Sequence, residues 1–256
     1  MPDRELRKEI QLDATPEQVW EAIATGPGIG TWFVPHEVEE RLGGTMSADF
    51  GSGNEATGRV TAWEPARRFA YGAMAPPGEG TPDYAHEFLI EGRDGGATVL
   101  RFVQSGFLDG AEWDDEYGSF DAGWGLFLLN LQQYFAHFAG LPVANVVTMA
   151  WAEGRASTLW PVIHTALGLD GPPAVGDTIT LRPNGIVPIT GVVDVVTDEF
   201  LGVRSERGLH RIGAEGESGC GVSAYHYVYG NPAPDVEALT GAWQSWLEWT
   251  VPLRTG

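Results

Sequence analysis

The polar residues with the clearest chemical potential in this chain are two histidines and a glutamine. His86 and Gln104 fall on two segments with strand-like alternation, and His36 follows the aromatic pair Trp32 and Phe33. An imidazole titrates near neutral pH, so each histidine could act as a general base or as a hydrogen-bond anchor. Neither has a triad or metal-ligand partner in the sequence, and lone inward histidines are usually satisfied core or rim residues. We therefore assign no catalytic residue.

Strand parity selects the side chains that accompany these polar groups, because successive residues of a strand point to opposite faces. The residues predicted to face inward from three strands are Phe69, Tyr71, His86, Phe88, Ile90, Leu100, Phe102 and Gln104. An apolar set with His86 and Gln104 as its polar members is the usual composition of a small-molecule site. We expect these residues to line a ligand-binding cavity.

Residues outside the strands complete the predicted binding site. Trp32, Phe33 and His36 come before the run of strands that starts at residue 45. Trp113 and Tyr117 come just before the predicted closing helix, and Trp124 and Leu128 lie on it. Aromatic rings bury large apolar areas and still offer polar edges, so they could stack on a planar ligand. The same rings are equally suited to form the hydrophobic core, which is the alternative for Trp32 and Trp124.

A run of carboxylates at Asp114, Asp115 and Glu116 raises the question of a metal site. Calcium loops space their ligands in alternation around a glycine, whereas adjacent carboxylates more often form a solvated surface. We therefore predict no metal site. The sequence also lacks a phosphate loop, a dinucleotide fingerprint, zinc-ligand spacing and a nucleophile elbow, so we expect no cofactor.

Local patterns predict the elements that position these residues. The letters TPEQ from Thr15 read as a capping box, with Pro16 in the first helical turn. Alternating segments bounded by turn residues predict antiparallel strands at residues 6–13, 45–50, 57–64, 67–74, 84–91 and 97–104. An apolar stripe at helical spacing predicts a long helix over 121–138, after an acidic stretch from residue 108 that reads as a loop over the opening. This order is that of an α+β helix-grip fold, in which an antiparallel sheet wraps a long C-terminal helix.

The chain repeats this pattern once. The letters EQVWEAI contain Trp20 and Ile23, and STLWPVI returns the same pair as Trp160 and Ile163. TGRVTAWEPARRFAYG is echoed by TGVVDVVTDEFLGVRS, and both halves end in an aromatic helical segment. We predict a helix-grip domain at residues 1–140 and a second, degenerate helix-grip-like domain at 141–256. Pro161 is expected to be tolerated only in an opening helical turn.

The composition limits which classes of binding partner and which cellular location we expect. Hydrophobic residues make up 43% of the chain, which indicates a globular protein. A net charge of −20 repels phosphate backbones and anionic lipid surfaces, so we expect neither nucleic acid nor a membrane as partner. The single cysteine, Cys220, cannot form an internal disulfide, and no apolar leader or membrane span is evident. A cytoplasmic location is therefore expected.

Several motifs together resemble a known family. VWEAI, WF, WEPARRFAY, HEFLIEGRDGGATVLRFVQSGF and GW followed by LLNL occur in this order within residues 5–138. They resemble the START-like SRPBCC superfamily, in the branch related to the C-terminal domain of the activator of the ninety-kilodalton heat-shock protein ATPase. The resemblance implies a helix-grip domain that encloses a cavity. It implies no single activity, because relatives include binders, cyclases, self-resistance proteins and chaperone regulators.

Three functions fit these observations. The favoured one is binding or sequestration of a small apolar or aromatic molecule between the sheet and the C-terminal helix of the first domain. A cyclase or hydrolase would use His86 or His36, with Gln104 or Tyr71 polarising a carbonyl. A chaperone ATPase-regulating interaction module is the third; it is not favoured, because the chain begins directly with the helix-grip strand and shows no separate chaperone-binding domain.

Overall fold

The computed structural model of the chain describes residues 4–51, 53–73, 83–108, 110, 113–216 and 219–253. Within this part the chain folds as two compact units, with the main division between Gly140 and Leu141. Each unit has an antiparallel sheet and a C-terminal helix. The predicted α+β class, with the helix-grip plan present twice, is confirmed.

The first unit contains seven strands and three helices among the described residues. Their bounds are β1 Leu6–Leu12, α1 Pro16–Ala24, α2 Gly26–Ile29, β2 His36–Val38, β3 Thr45–Asp49, β4 Glu55–Glu64, β5 Arg68–Ala73, β6 Ala85–Gly92, β7 Thr98–Ser105 and α3 Asp114–His137. The sheet order is β1-β7-β6-β5-β4-β3-β2, so the first and last strands in sequence pair with each other. This order places β5, β6, β7 and β1 side by side.

The start of α1 follows from its first residues. The Thr15 hydroxyl accepts a hydrogen bond from the Gln18 amide at 3.4 Å, and the Gln18 side chain accepts one from the Thr15 amide at 2.9 Å. Pro16 occupies the first turn, where its missing N–H is not needed. The predicted capping box is confirmed, because both reciprocal bonds are present.

The closing helix begins earlier than the apolar stripe predicts. Helix α3 starts at Asp114, so the described part of the stretch expected to form a loop is helical from that residue. Its first turn carries Asp114, Asp115 and Glu116, and negative charges at a helix N-terminus interact favourably with the helix dipole. Asp114 also pairs with Arg4 at 2.7 Å. The acidic run is therefore a helix start, and the prediction of a loop at these residues is wrong.

A glycine is required where β7 ends. Gly106 has a positive φ of 87°, and a Cβ there would lie 1.8 Å from the carbonyl oxygen of Asp83. The close approach lets the Asp83 amide donate to the Gly106 carbonyl at 3.3 Å. Only glycine combines this backbone conformation with this lack of space.

The second unit repeats the plan with fewer elements. Its bounds are β8 Val143–Ala152, α4 Ala156–Ala166, β9 Thr178–Leu181, β10 Ile189–Val196, β11 Phe200–Ser205, β12 Gly208–Glu215, β13 Cys220–Tyr229 and α5 Val236–Thr250. The sheet order is β8-β13-β12-β11-β10-β9.

Pro161 lies beyond the opening turn of α4, so the expectation that it would fall within that turn is wrong. Because proline has no N–H, the helical hydrogen bond from residue 161 to the Ser157 carbonyl is missing.

A β-bulge occurs at the same point in both units. The pairing register shifts between Val60 and Ala62 in β4, and again between Val193 and Val195 in β10. The bulged residues Thr61 and Asp194 occupy matching places in the two repeated sequence segments. Bulges redirect a side chain out of the regular alternation. The shared irregularity supports the tandem origin of the two sheets.

The bulge in β10 creates a buried ion pair that the sequence does not predict. The Asp194 carboxylate accepts two hydrogen bonds from the Arg211 guanidinium, at 2.7 and 2.9 Å. The Arg211 side chain is 1% exposed and that of Asp194 is 9% exposed. The pair passes over Gly202 of the intervening strand β11, where a Cβ would lie 2.5 Å from the guanidinium. Bulge, glycine and ion pair therefore form one structural unit.

None of the helices in the described ranges has both the length and the apolarity needed to cross a membrane.

Candidate functional site

The candidate site of the first unit lies on β5, β6 and β7. His86 of β6 pairs directly with Gln104 of β7 on one side and with Tyr71 of β5 on the other. Directly opposed residues on neighbouring strands point to the same face of the sheet. The register therefore brings Tyr71, His86 and Gln104 together in one row across three strands.

Trp124 of α3 lies against this row. Its indole N–H donates to the Gln104 side-chain oxygen at 2.7 Å. Its ring centroid is 4.1 Å from that of Phe102 and 5.5 Å from that of His86. The His86 ring in turn stacks on Tyr71 at 4.7 Å. One tryptophan thus connects the closing helix to both polar residues of the site.

Two polar atoms in this row are buried without a hydrogen-bond partner among the described residues. They are the Nδ1 atom of His86 and the Nε2 atom of Gln104. The Gln104 side chain is 0% exposed, so water at the protein surface does not reach it. Most buried polar groups in native proteins are hydrogen-bonded, and each exception needs a physical explanation.

His36 contributes a second imidazole close to the first. Its ring lies 5.1 Å from that of Phe33, and Phe33 lies 5.3 Å from Trp124. His36 Nδ1 is 2.7 Å from the carbonyl oxygen of Val34. Because a carbonyl can only accept, this nitrogen carries the proton. The two histidines therefore border the same Phe33–Trp124 contact.

Burial keeps the site uncharged near neutral pH. The pKa of His86 is lowered to about 3, chiefly by burial and further by the nearby His36. Burial lowers the pKa of His36 to about 4, although its bond to the Val34 carbonyl acts in the opposite direction. Burial also raises the pKa of the Tyr71 phenol. Since general bases work best with a pKa near the operating pH, these histidines are poor proton acceptors at pH 7.

The remaining predicted residues fall into three groups. Trp32, Phe33, Phe69, Phe88, Leu100, Phe102, Trp124 and Leu128 are buried, and Ile90 is half-buried. Trp32 donates its indole N–H to the Ala22 carbonyl at 2.8 Å, which ties it to α1. Trp113 and Tyr117 belong to the start of α3, where the Tyr117 ring contacts Phe107 and lies 4.1 Å from the Arg4 guanidinium.

The set proposed from sequence omits Phe127. Its ring is 4.2 Å from Phe33, which makes it a direct neighbour of the site. Phe127 lies one helical turn after Trp124, so the spacing of three residues on α3 was the available signal.

The second unit places a different polar pair at the corresponding strands. His210 of β12 pairs directly with His226 of β13, and Trp243 of α5 stacks on His226 at 4.0 Å. The two Nδ1 atoms are 3.1 Å apart, and His210 Nε2 is 3.0 Å from the Ser205 hydroxyl. The two imidazoles therefore share one hydrogen bond, but the Nε2 atom of His226 is buried without a partner among the described residues, as are the Nδ1 atom of His86 and the Nε2 atom of Gln104. Neither histidine was singled out from the sequence.

The second unit also has a surface groove between α4 and α5. Its volume is about 550 Å³, and it is lined by Pro161, Val162, Thr165, Ala166, Asn184, Trp246, Trp249 and Thr250. Trp249 is 91% exposed. An apolar probe could also adsorb in this groove.

Comparison with known proteins identifies relatives of the first unit. Residues 13–136 match the family model described as activator of Hsp90 ATPase homolog 1-like protein. No curated protein matches the chain.

The search of solved structures gives matches of low sequence identity to this chain. Protein MLL2253 from Mesorhizobium loti is 23% identical, with a TM-score of 0.47, and the match covers 53% of this chain and 98% of that one. DynU16, described as a putative protein in the dynemicin biosynthetic locus, is 19% identical over 98% of this chain and 96% of its own, with a TM-score of 0.46. The di-domain ARO/CYC protein BexL from the BE-7585A biosynthetic pathway is 15% identical over 98% and 100%, with a TM-score of 0.45.

Proposed function

We propose that the first unit, which belongs to the family of activator of Hsp90 ATPase homolog 1-like proteins, binds a small apolar or aromatic molecule between its sheet and α3. The observation that carries this proposal is the pair of buried, unpartnered polar atoms on His86 and Gln104. Both belong to a row of residues that Trp124 covers with an aromatic ring. Apolar surroundings with a few convergent polar groups are typical of small-molecule sites.

The energetic cost of these atoms favours a bound partner. A buried polar group without a hydrogen bond destabilises a protein by about 1–3 kcal/mol. A ligand that supplies the missing bonds recovers this free energy on binding. The surrounding rings of Phe88, Phe102 and Trp124 supply the apolar contact.

A neutral fluorescent probe tests this function directly. We expect N-phenyl-1-naphthylamine to bind the full chain with a rise in its fluorescence, because its emission increases in apolar surroundings. Tyr71→Ala removes the ring that stacks on His86 and should weaken this binding about tenfold, through loss of roughly 1.5 kcal/mol of aromatic contact. Fluorescence titration of both proteins measures the change.

Trp249→Ala is the matched control for this experiment. It removes an exposed aromatic ring from the groove of the second unit and should leave the affinity of the probe unchanged. Binding that disappears in Trp249→Ala and survives in Tyr71→Ala would assign the probe to the groove and contradict the proposal. Absence of any probe binding to the full chain would also contradict the proposal.

Regulation of a chaperone ATPase is the second candidate, and the family match is the observation that favours it. A pull-down with the ninety-kilodalton chaperone, combined with its ATPase rate in the presence of this chain, separates the two functions. Stimulation by the full chain would support this candidate. An enzymatic role for His86 has less support, because its lowered pKa makes it a weak base at neutral pH.

A further inference from the structure

The surface groove between α4 and α5 has the features of a separate binding site in the second unit. Its volume of about 550 Å³ lies within the range of small-molecule sites, roughly 300–1,000 Å³. Two of its lining residues are exposed apolar side chains, Val162 at 45% and Trp249 at 91%. Exposed apolar groups gathered in one concave place mark interaction or ligand-binding sites, whereas single scattered ones do not.

The side chains that the structure shows lining this groove carry no charge. They are proline, valine, threonine, alanine, asparagine and tryptophan, and none of these types ionises. His164 lies on α4 next to the lining residue Thr165, and burial lowers its pKa, so its imidazole is neutral at pH 7. Arg182, two residues before the lining residue Asn184, donates to the Thr180 carbonyl at 3.1 Å. The lining therefore contains no cation of its own.

The end of α5 gives this groove a negative electrostatic potential. The lining residues Trp249 and Thr250 are the last two of the helix, and its last turn contains no basic residue. In the described part of the chain, no amide donates to the carbonyls of Glu248, Trp249 or Thr250. Unpaired carbonyls at a helix C-terminus carry a partial negative charge, and the exposed carboxylate of Glu248 adds to it. A chain with a net charge of −20 reinforces this attraction for cations.

Trp249 supplies an aromatic face for such a cation. An ammonium group over an aromatic ring is attracted by the quadrupole of that ring, most strongly for tryptophan. At 91% exposure the indole is accessible, and among the described residues no other ring contacts it. Pro161, Val162 and Ala166 offer carbon atoms to the rest of a ligand. The groove therefore combines negative potential, an open aromatic face and an apolar wall.

We infer that the groove between α4 and α5 binds an organic cation with an apolar body, of the quaternary ammonium class, with its charge over the Trp249 ring. A quaternary ammonium has no N–H to satisfy, so side chains without charge can enclose it. The site lies in the second unit and goes beyond the function proposed for the first.

Three compounds of the same shape and different charge test this inference. Phenyltrimethylammonium, tert-butylbenzene and benzenesulfonate share a phenyl ring and carry a positive, a neutral and a negative substituent. The full chain is titrated with each compound, and proton NMR spectra of the compound give its affinity. We expect the cation to bind about fivefold or more tightly than its neutral counterpart, and the sulfonate to bind most weakly. The N-methyl resonance should move upfield, because the face of an indole ring shields protons above it.

Variants of exposed tryptophans locate the bound cation. Trp249→Ala removes a ring that is 91% exposed, so the fold is retained, and it should lower the affinity for phenyltrimethylammonium about fivefold and remove most of the upfield shift. Trp249→Phe keeps an aromatic face and should retain part of both. Trp151→Ala is the matched control, because Trp151 is 58% exposed in the same unit and does not line the groove. It should bind the cation like the wild type.

The outcome separates this site from general attraction and from the first unit. A cation held only by the net charge would lose its affinity in high salt and would bind Trp249→Ala and wild type equally, which would overturn the inference. Equal affinities for the cation and tert-butylbenzene would also overturn it. Loss of the cation in Tyr71→Ala with retention in Trp249→Ala would place it in the first unit and would contradict this inference as well.

Discussion

Replacing Asp194 by alanine is expected to destabilise the second unit by about 3–5 kcal/mol. The substitution removes the Asp194 carboxylate from the buried Arg211 guanidinium, and breaking a buried ion pair on one side has a cost of this size. Urea unfolding followed by tryptophan fluorescence measures the loss. Hydrogen exchange of β12 peptides assigns it to the second unit.

The exposed ion pair between Arg101 and Glu9 provides the control. Its side chains are 44% and 58% exposed, and pairs of this kind contribute about 0–1 kcal/mol. Glu9→Ala should therefore change the free energy of unfolding by less than 1 kcal/mol. Replacing both buried partners, as Asp194→Leu with Arg211→Met, should recover most of the loss, since no charge then remains buried. A loss below 1 kcal/mol in Asp194→Ala would show that the pair is not buried as described.

Acid is expected to destabilise the second unit through its histidine pair. His210 and His226 are both buried, and the pKa of His210 is lowered to about 3 by burial and by the neighbouring Arg211. The pKa of His226 is lowered by burial, by His210 and by Arg211. Their stability contribution is complete above pH 6.5, the pKa of an unfolded histidine. It decreases as the pH falls from there toward the folded pKa, because the unfolded chain takes up protons that the folded chain excludes.

The expected loss is about 2 kcal/mol between pH 7.5 and pH 5 for His210, whose folded pKa is about 3, and His226 adds a loss of the same sign. His226→Phe keeps a ring against Trp243 and removes one titrating group. Its free energy of unfolding should therefore fall less between pH 7.5 and pH 5 than that of the wild type. Trp249→Ala removes an exposed side chain that does not titrate and should preserve the wild-type pH dependence. Equal pH dependence in His226→Phe and wild type would contradict the assignment to this pair.

Much of the fold could be predicted because its signals are local. The capping box at Thr15 fixes the start of α1, and the turn residues between alternating segments separate the strands of the first sheet. The start of α3 could not be predicted from its apolar stripe. Its first turn is acidic, and the favourable interaction with the helix dipole appears only once the helix is in place.

The strand pairing that brings the polar residues of the site together could not be predicted from the sequence. Strand parity alone placed His86 and Gln104 on inner faces, but the register that opposes them and the bond from Trp124 come from tertiary structure. The ion pair of Asp194 with Arg211 was hidden for a similar reason. A bulge reverses the alternation at Asp194, and Gly202 of a third strand leaves room for the pair.

The histidine pair of the second unit shows how two copies of one fold have diverged. Where the first copy opposes a histidine to a glutamine, the second opposes two histidines whose Nδ1 atoms share a hydrogen bond. Two charged imidazoles could not share this bond, because both Nδ1 atoms would then be donors. The interior of the second copy therefore has to stay uncharged at the place where the first copy carries an amide that cannot titrate.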